Sequence, residues 1–259
     1  MIYITKDLCM RKGERDVSFP IVEILGVPVA ALTMAEAVSQ AEQWMDERRG
    51  ALIATANAEM IMNATRDEEL FDILRSADLV VPDGAGTVWA AHHLGHEMPE
   101  RVAGYDLAQE LLRRAPEKER RVFFFGSAPG VAEKAKQKAE EIYPGIQVVG
   151  VRNGYFTEAE EPEIIREIRE AKPDLLLAAL GVPKQEKWLK KHQAELEVPV
   201  SIGVGGTLDV MAGTAKRAPL WVQKAKLEWL FRGLLQPKRA GRLLALPKFV
   251  FRVHASKNH

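Results

Sequence analysis

Apolar positions along the chain follow two alternating rhythms. Short runs dense in Val, Ile, Leu, Phe and Ala fall at 51–56, 79–81, 121–125, 147–151, 175–179 and 200–204, and predict strands. Between them, apolar residues recur at helical spacing and predict helices at 33–49, 66–76, 84–94, 105–114, 130–142, 161–171 and 185–191. The first helix opens on Thr33-Met-Ala-Glu36, a capping box in which the two side chains satisfy each other's backbone N–H groups. Upstream, 21–25 and 29–32 flank Gly26 and Pro28 and read as a small strand pair. Strands separated by helices call for right-handed crossovers, so the predicted fold class is α/β, a mostly parallel sheet with helices on both faces. Residues 116–120 are the expected boundary between two lobes around one cleft. The predicted organisation is an N-terminal extension over 1–20 with no assigned role, a core over 21–213, and an appendage over 214–259. Pro219, Pro237 and Pro247 interrupt the helical pattern of that appendage.

Composition narrows the class. The 259 residues are 47% hydrophobic and 28% charged, enough for a sizeable core and unlike collagen-like, disulfide-rich or wholly disordered chains. Cys9 is the single cysteine, so no intramolecular disulfide forms, which fits a reducing compartment. Residues 1–20 lack the apolar stretch of a signal peptide, and no window approaches the roughly 20 apolar residues of a spanning helix. A cytoplasmic location is expected.

The formal net charge of zero hides an asymmetry. Residues 214–259 carry 11 Lys or Arg against one acid, Glu228, so this segment is +10 and the remainder −10. Trp221, Trp229, Phe231, Phe249 and Phe251 interleave with Lys224, Lys226, Arg232, Lys248 and Arg252. Such a pattern suits an interfacial element on an anionic membrane surface, each cation adding about 1 kcal/mol. It equally suits a core-packing helix with a solvated basic face. The apolar surface also suits self-association into a homo-oligomer. The segment is too apolar for a simple phosphate-binding arm, so no nucleic acid is expected.

In parallel α/β sheets, ligands bind beyond the carboxyl ends of the strands. The polar residues just after each predicted strand are therefore the candidates. Thr55 and Asn57 follow the first long strand, as helix caps or as hydrogen-bonding groups for a sugar. Asp83, followed by Gly84 and Gly86, stands at the cleft mouth, where a carboxylate either caps a helix or takes a proton from an attacking hydroxyl. Arg101 lies in a loop ending at Gly104, as a surface charge or a phosphate clamp. Gly126 to Gly130 links a strand to a helix whose N-terminal N–H groups face an anion, although it matches neither dinucleotide-binding nor P-loop spacing. Gln185 sits at the ligand edge of the next strand, and Gly205, Gly206 and Asp209 follow the last, suited to close backbone approach and ribose hydroxyls. His92 and His96 lack the intervening Glu of a zinc motif, and no D-x-D pair is present, so no metal site is expected. If the chain is a transferase, side-chain cations must then balance a leaving diphosphate.

Taken in order, the blocks Thr55-Ala-Asn57-Ala-Glu59, Pro82-Asp83-Gly84, Arg101-Val-Ala-Gly104-Tyr-Asp106-Leu, Gly126-Ser-Ala-Pro-Gly-Val-Ala, Gly154-Tyr155-Phe156, Ala179-Leu-Gly-Val-Pro-Lys-Gln185-Glu-Lys-Trp188, Gly205-Gly206-Thr-Leu-Asp209, Arg217-Ala-Pro219, and Leu227-Glu-Trp-Leu-Phe-Arg232 with Pro237, Arg239 and Arg242 resemble the WecG/TagA/CpsF family of bacterial glycosyltransferases from about residue 22 to 242. The resemblance implies a Rossmann-like fold and an inverting, metal-independent, peripheral membrane enzyme with no cofactor. It implies transfer of N-acetylmannosamine from UDP-ManNAc to undecaprenyl-diphosphate-linked GlcNAc, at the inner face of the cell membrane, in wall teichoic acid synthesis. It places Asp83 as catalytic base; Thr55, Asn57 and Gln185 at the donor sugar or acceptor; Tyr155 and Asp209 near the nucleoside; and Arg101, Arg232, Arg239 and Arg242 on diphosphate. Three other readings stand beside it: a UDP-ManNAcA transferase of polysaccharide synthesis, a non-catalytic sugar-nucleotide-binding protein, and an NAD-dependent enzyme. The last is disfavoured by the missing G-x-G-x-x-G.

Overall fold

The structure, a computed structural model, describes residues 19–219, 221–222, 231 and 245–257. The expectations for residues 1–18, including Cys9, and for Arg232, Arg239 and Arg242 lie outside the described residues. A hairpin of β1 (Ile21–Ile24) and β2 (Val27–Ala30) precedes the main body. Six strands follow: β3 (Ala51–Ala56), β4 (Leu79–Pro82), β5 (Arg121–Gly126), β6 (Gln147–Arg152), β7 (Leu175–Ala179) and β8 (Val200–Gly203). They form one parallel sheet in the order β4-β3-β8-β7-β5-β6. This is the α/β sheet that the alternating pattern predicted.

The helices are α1 (Met34–Glu47), α2 (Ala58–Ala64), α3 (Glu68–Ser76), α4 (Ala85–His93), α5 (Gly104–Arg114), α6 (Val131–Ile142), α7 (Glu161–Ala171), α8 (Lys184–Leu196) and α9 (Thr207–Met211), with a last described helix over Ala245–Ser256. Alternate residues of each strand enter opposite layers of core. Ile53, Phe124, Leu177 and Ile202 pack with α1, α5, α6 and α9; Leu52, Phe123, Phe125 and Leu176 face the other layer, with Ile164 of α7 and Trp188 of α8. The segment 116–120 is the crossing from α5 through a 3-10 turn to β5, and the strands before and after it join in the middle of the sheet through β3, β8 and β7.

Local signals and structure agree where the signal is short-range. Thr33 Oγ1 accepts from the Glu36 N–H at 3.3 Å, and the Glu36 carboxylate accepts from the Thr33 N–H at 2.7 Å. The Thr33 N–H, joined by the Thr33 hydroxyl donating to the same carboxylate at 2.8 Å, draws the Glu36 carboxyl below its ordinary pKa. Thr33→Ala is expected to lower global stability by about 1 kcal/mol, read as a reduced urea midpoint at unchanged m-value.

Two helices go beyond the sequence pattern. Helix α2 starts directly at the Asn57 cap and runs only seven residues, and α9 only five, too few for a helical period to register. Pro247 is the third residue of the last described helix, Ala245–Ser256. Phe249 and Val253 of that helix are fully buried against α2 and α4, and Arg252 donates to Thr65 Oγ1 at 2.7 Å. Phe251 on its other side is 74% exposed. The described end of the appendage is thus a helix packed on the core beside the cleft.

Candidate active site

Parallel strands bring all their carboxyl ends to one edge of the sheet, and the loops leaving those ends surround a cavity of about 570 Å³. Thr55 and Asn57 leave β3, Asp83 leaves β4, Ser127 leaves β5 and Tyr155 stands beyond β6. Gly181 and Gln185 follow β7; Gly205, Gly206 and Asp209 follow β8. Arg101, Tyr105 and Arg217 form a further wall, and Leu246 of the last described helix reaches the same space. Gly126 stands one residue behind the lining.

The β4 exit is fixed by its backbone. The Asp83 N–H is shared between the carbonyls of Ala56 and Val81, each at 3.0 Å, which pins Asp83 between the ends of β3 and β4. Gly84 follows at φ +90°, a backbone that side-chain-bearing residues rarely adopt, and turns the chain into α4. Thr87, one turn into α4, donates to the Ala56 carbonyl at 3.0 Å and locks that turn down. Asn57 is a helix cap, accepting from the Met60 N–H at 3.0 Å, while its residue lines the cavity beside Gly84. Cap and cleft residue are here one position.

Thr55 and Gln185 brace the loops from beneath. Thr55 is 5% exposed and donates to the Gly203 carbonyl at 3.0 Å, tying β3 to β8. Its side chain lies against Gly104, where an added Cβ would come within 2.9 Å, so α5 approaches the strand only because residue 104 is glycine. Gln185 is buried; its Oε1 accepts from the N–H groups of Gly181 at 3.1 Å and Gly205 at 3.0 Å, holding the β7 and β8 exits at a fixed spacing. Its Nε2 donates to Glu186 Oε1 at 2.7 Å. Glu186 is 1% exposed, its Oε2 has no hydrogen-bond partner among the described residues, and burial pushes its carboxyl up to about 7.

On the β5 side, Gly126 adopts φ +131°, and a Cβ there would lie 2.4 Å from the Ala179 carbonyl, so glycine is required for β5 to end against β7. Ser127 follows at φ +59° and donates through Oγ to Asp209 Oδ2 at 2.9 Å, linking the β5 and β8 loops across the cleft. Tyr155 is 72% exposed on the rim, its N–H bonded to Asn153 Oδ1. Such a ring offers a flat face to a base without prior desolvation.

The remaining wall joins distant segments. The Val102 N–H donates to the Pro82 carbonyl at 3.0 Å, which sets the Arg101 loop beside the Asp83 turn. Arg217 forks Asp106 with two bonds of 2.7 Å and lies over the Tyr105 ring at 4.4 Å; Arg101 stands 3.8 Å from the same carboxylate. Sequence reasoning singled out Arg101 but not Tyr105, Asp106, Ser127, Thr87 or Glu186 as parts of the site. For Tyr105, Asp106, Ser127, Glu186 and Arg217 the signal was their place in the family blocks. Among the described residues no group of three or more His, Cys, Asp or Glu stands in a metal-holding arrangement.

Among the described residues the lining offers the carboxylates of Glu59, Asp83 and Asp209, glycine loops that let a ligand approach the backbone, and the arginines Arg101 and Arg217. That set suits group transfer from an anionic leaving group to a hydroxyl. A family model described as glycosyl transferase WecG/TagA/CpsF family matches residues 22–259. The chain is 36% identical over 212 residues, 82% of each chain, to the N-acetylglucosaminyldiphosphoundecaprenol N-acetyl-beta-D-mannosaminyltransferase of Bacillus subtilis. It is 34% identical over 238 residues, 91% of this chain and 93% of the relative, to a protein of the same name from Staphylococcus aureus.

Proposed function

The chain belongs to the WecG/TagA/CpsF family of glycosyl transferases, and on that premise we propose that it moves N-acetylmannosamine from UDP-ManNAc onto the GlcNAc of undecaprenyl-diphosphate-linked GlcNAc, the linkage step of wall teichoic acid. The observation that carries the reading is the position of Asp83. It is held by its backbone between the ends of β3 and β4, at the mouth of a cavity whose opposite loops are built from glycine.

In the proposed reaction an acceptor hydroxyl oxygen attacks the anomeric carbon of the donor. The bond from that carbon to the diphosphate oxygen breaks, and UDP leaves with the electron pair. Asp83 takes the hydroxyl proton as the new bond forms. Attack opposite the leaving group inverts the anomeric centre. Charge accumulates on the diphosphate, and arginines placed beforehand stabilise it without reorganisation. Arg101 serves this role from the described wall; Arg232, Arg239 and Arg242, in the basic appendage, are assigned to it as well. Tyr155 and Asp209 are assigned to the nucleoside. Thr55, Gln185 and Gly126 shape the loops against which the donor lies.

No helix among the described residues is long and apolar enough to cross a membrane. The proposed contact with the inner face of the membrane is peripheral and runs through residues 214–259. The support is their +10 charge and the exposure of Trp221 at 70% and Phe251 at 74%.

The test is UDP release by the purified chain from UDP-ManNAc with a GlcNAc-diphospho-lipid acceptor, in EDTA. Acceptor-dependent release in EDTA is expected. Release that requires added divalent metal would end the metal-independent reading, and release only from UDP-ManNAcA would move the donor to the uronic acid.

A further inference from the structure

The arginine wall contains a carboxylate that the proposed reaction leaves without a role. Asp106 lies on the first turn of α5, directly after Tyr105, and is not itself a lining residue of the cavity. Two lining arginines converge on it from opposite parts of the chain. Arg217, 111 positions away, places Nη1 and Nη2 on its two oxygens at 2.7 Å each. Arg101 approaches Oδ2 at 3.8 Å from the loop tied to the end of β4. The Tyr105 ring, 4.4 Å from the Arg217 guanidinium carbon, supports its flat face. The Arg217 and Arg101 side chains are only 21% and 27% exposed, so both are largely withdrawn from water.

A fork-to-fork contact fixes the plane of a guanidinium, and an aromatic ring beneath it fixes its height. Arg217 therefore gives up rotamer freedom on folding rather than on binding. Two guanidiniums thus share one carboxylate in the wall near Asp83. The carboxylate holds together two cations that would repel each other if left alone. We propose that Asp106 is a positioning residue that sets Arg101 and Arg217 side by side as one preorganised grip for the diphosphate of the nucleotide. The inference rests on the proposed use of a UDP-sugar, and it adds Arg217 to the diphosphate contacts. It also explains why the basic appendage begins where it does: the Thr214 and Ala215 N–H groups bond the Asp209 carbonyl at 3.0 Å, which delivers Arg217 to Asp106 immediately after α9.

The test separates diphosphate recognition from folding by using two probes, UDP and uridine. Both are titrated against the full chain, wild type, Asp106→Asn and Arg217→Lys, by ligand-observed NMR. Lysine keeps the charge at 217 and loses the fork. Each variant is expected to bind UDP at least tenfold more weakly than wild type while uridine affinity stays within about twofold, so the ratio of the two affinities falls. Equal weakening of both ligands would make the cluster a structural clamp and overturn the inference. So would an unchanged ratio, or tighter UDP binding by Asp106→Asn, which would mean that the carboxylate masks the arginines. Failure of the wild-type chain to bind UDP at all would instead remove the proposed function on which the inference stands.

Discussion

Asp83→Asn is expected to lower the rate of transfer from UDP-ManNAc to the lipid acceptor by about 10²- to 10⁴-fold, the range for losing a positioned general base. That corresponds to about 3–5.5 kcal/mol of transition-state stabilisation. Asparagine matches the carboxylate in size, and residue 83 keeps the bonds of its backbone N–H to the Ala56 and Val81 carbonyls and of its own carbonyl to the Thr87 hydroxyl. The fold of the turn is therefore retained while the proton acceptor is lost. The loss should appear in kcat, because the carboxylate acts as the hydroxyl proton moves and contributes little to holding the donor. UDP affinity is expected to stay within a few fold of wild type. A variant that keeps more than a tenth of the wild-type rate at saturating substrates would remove Asp83 from the role of base. A parallel collapse of UDP binding would recast it as a binding residue.

The sheet was legible because its signals are local. Each strand is a short apolar run and most helices are long enough to show a period, as in α7 at Glu161–Ala171 and β7 at Leu175–Ala179, both anticipated to the residue. The cleft was legible for a topological reason: in a parallel sheet all strand exits share an edge, so Thr55, Asp83, Gln185 and Asp209 had to converge. The partners of those residues were not legible. Thr55 bonds Gly203, 148 positions away, and Gln185 reaches forward 20 positions to Gly205; neither pairing leaves a trace in composition or spacing. Arg217 stands in a family block in the sequence, but nothing there pairs it with Asp106, 111 positions away. Glu186 stands in Lys184-Gln-Glu-Lys187, a stretch that looks like any solvated helix start. Only the placement of α8 against β8 turns it inward, where Gly203 leaves the space it needs.

That burial gives Glu186 a measurable signature in the pH dependence of stability. Its carboxyl is raised from 4.5 to about 7 by burial, against which the Gln185 hydrogen bond acts only in part. The folded state therefore keeps a proton that the unfolded chain releases above pH 4.5. The stabilising contribution of the protonated group is complete below the unfolded pKa and is lost as pH rises toward 7. The total is on the order of 3 kcal/mol, from about 1.4 kcal/mol per pH unit over that window. Glu186→Gln has nearly the same shape, still offers an acceptor to Gln185 Nε2, and does not titrate. Relative to wild type it is expected to gain about 3 kcal/mol between pH 4.5 and pH 8, with little difference at the lower value. Urea midpoints of both proteins across that range make the comparison, and parallel profiles would mean that Glu186 titrates in the fold as it does in water. Glu186→Leu separates the hydrogen bond from the charge. Leucine removes the titration too, but it leaves the buried Gln185 amide without its acceptor, at about 1–3 kcal/mol. If the carboxyl is present to orient Gln185, transferase activity survives Glu186→Gln and falls in Glu186→Leu, because the Gly181 and Gly205 loops then lose the common anchor that holds them over the cleft.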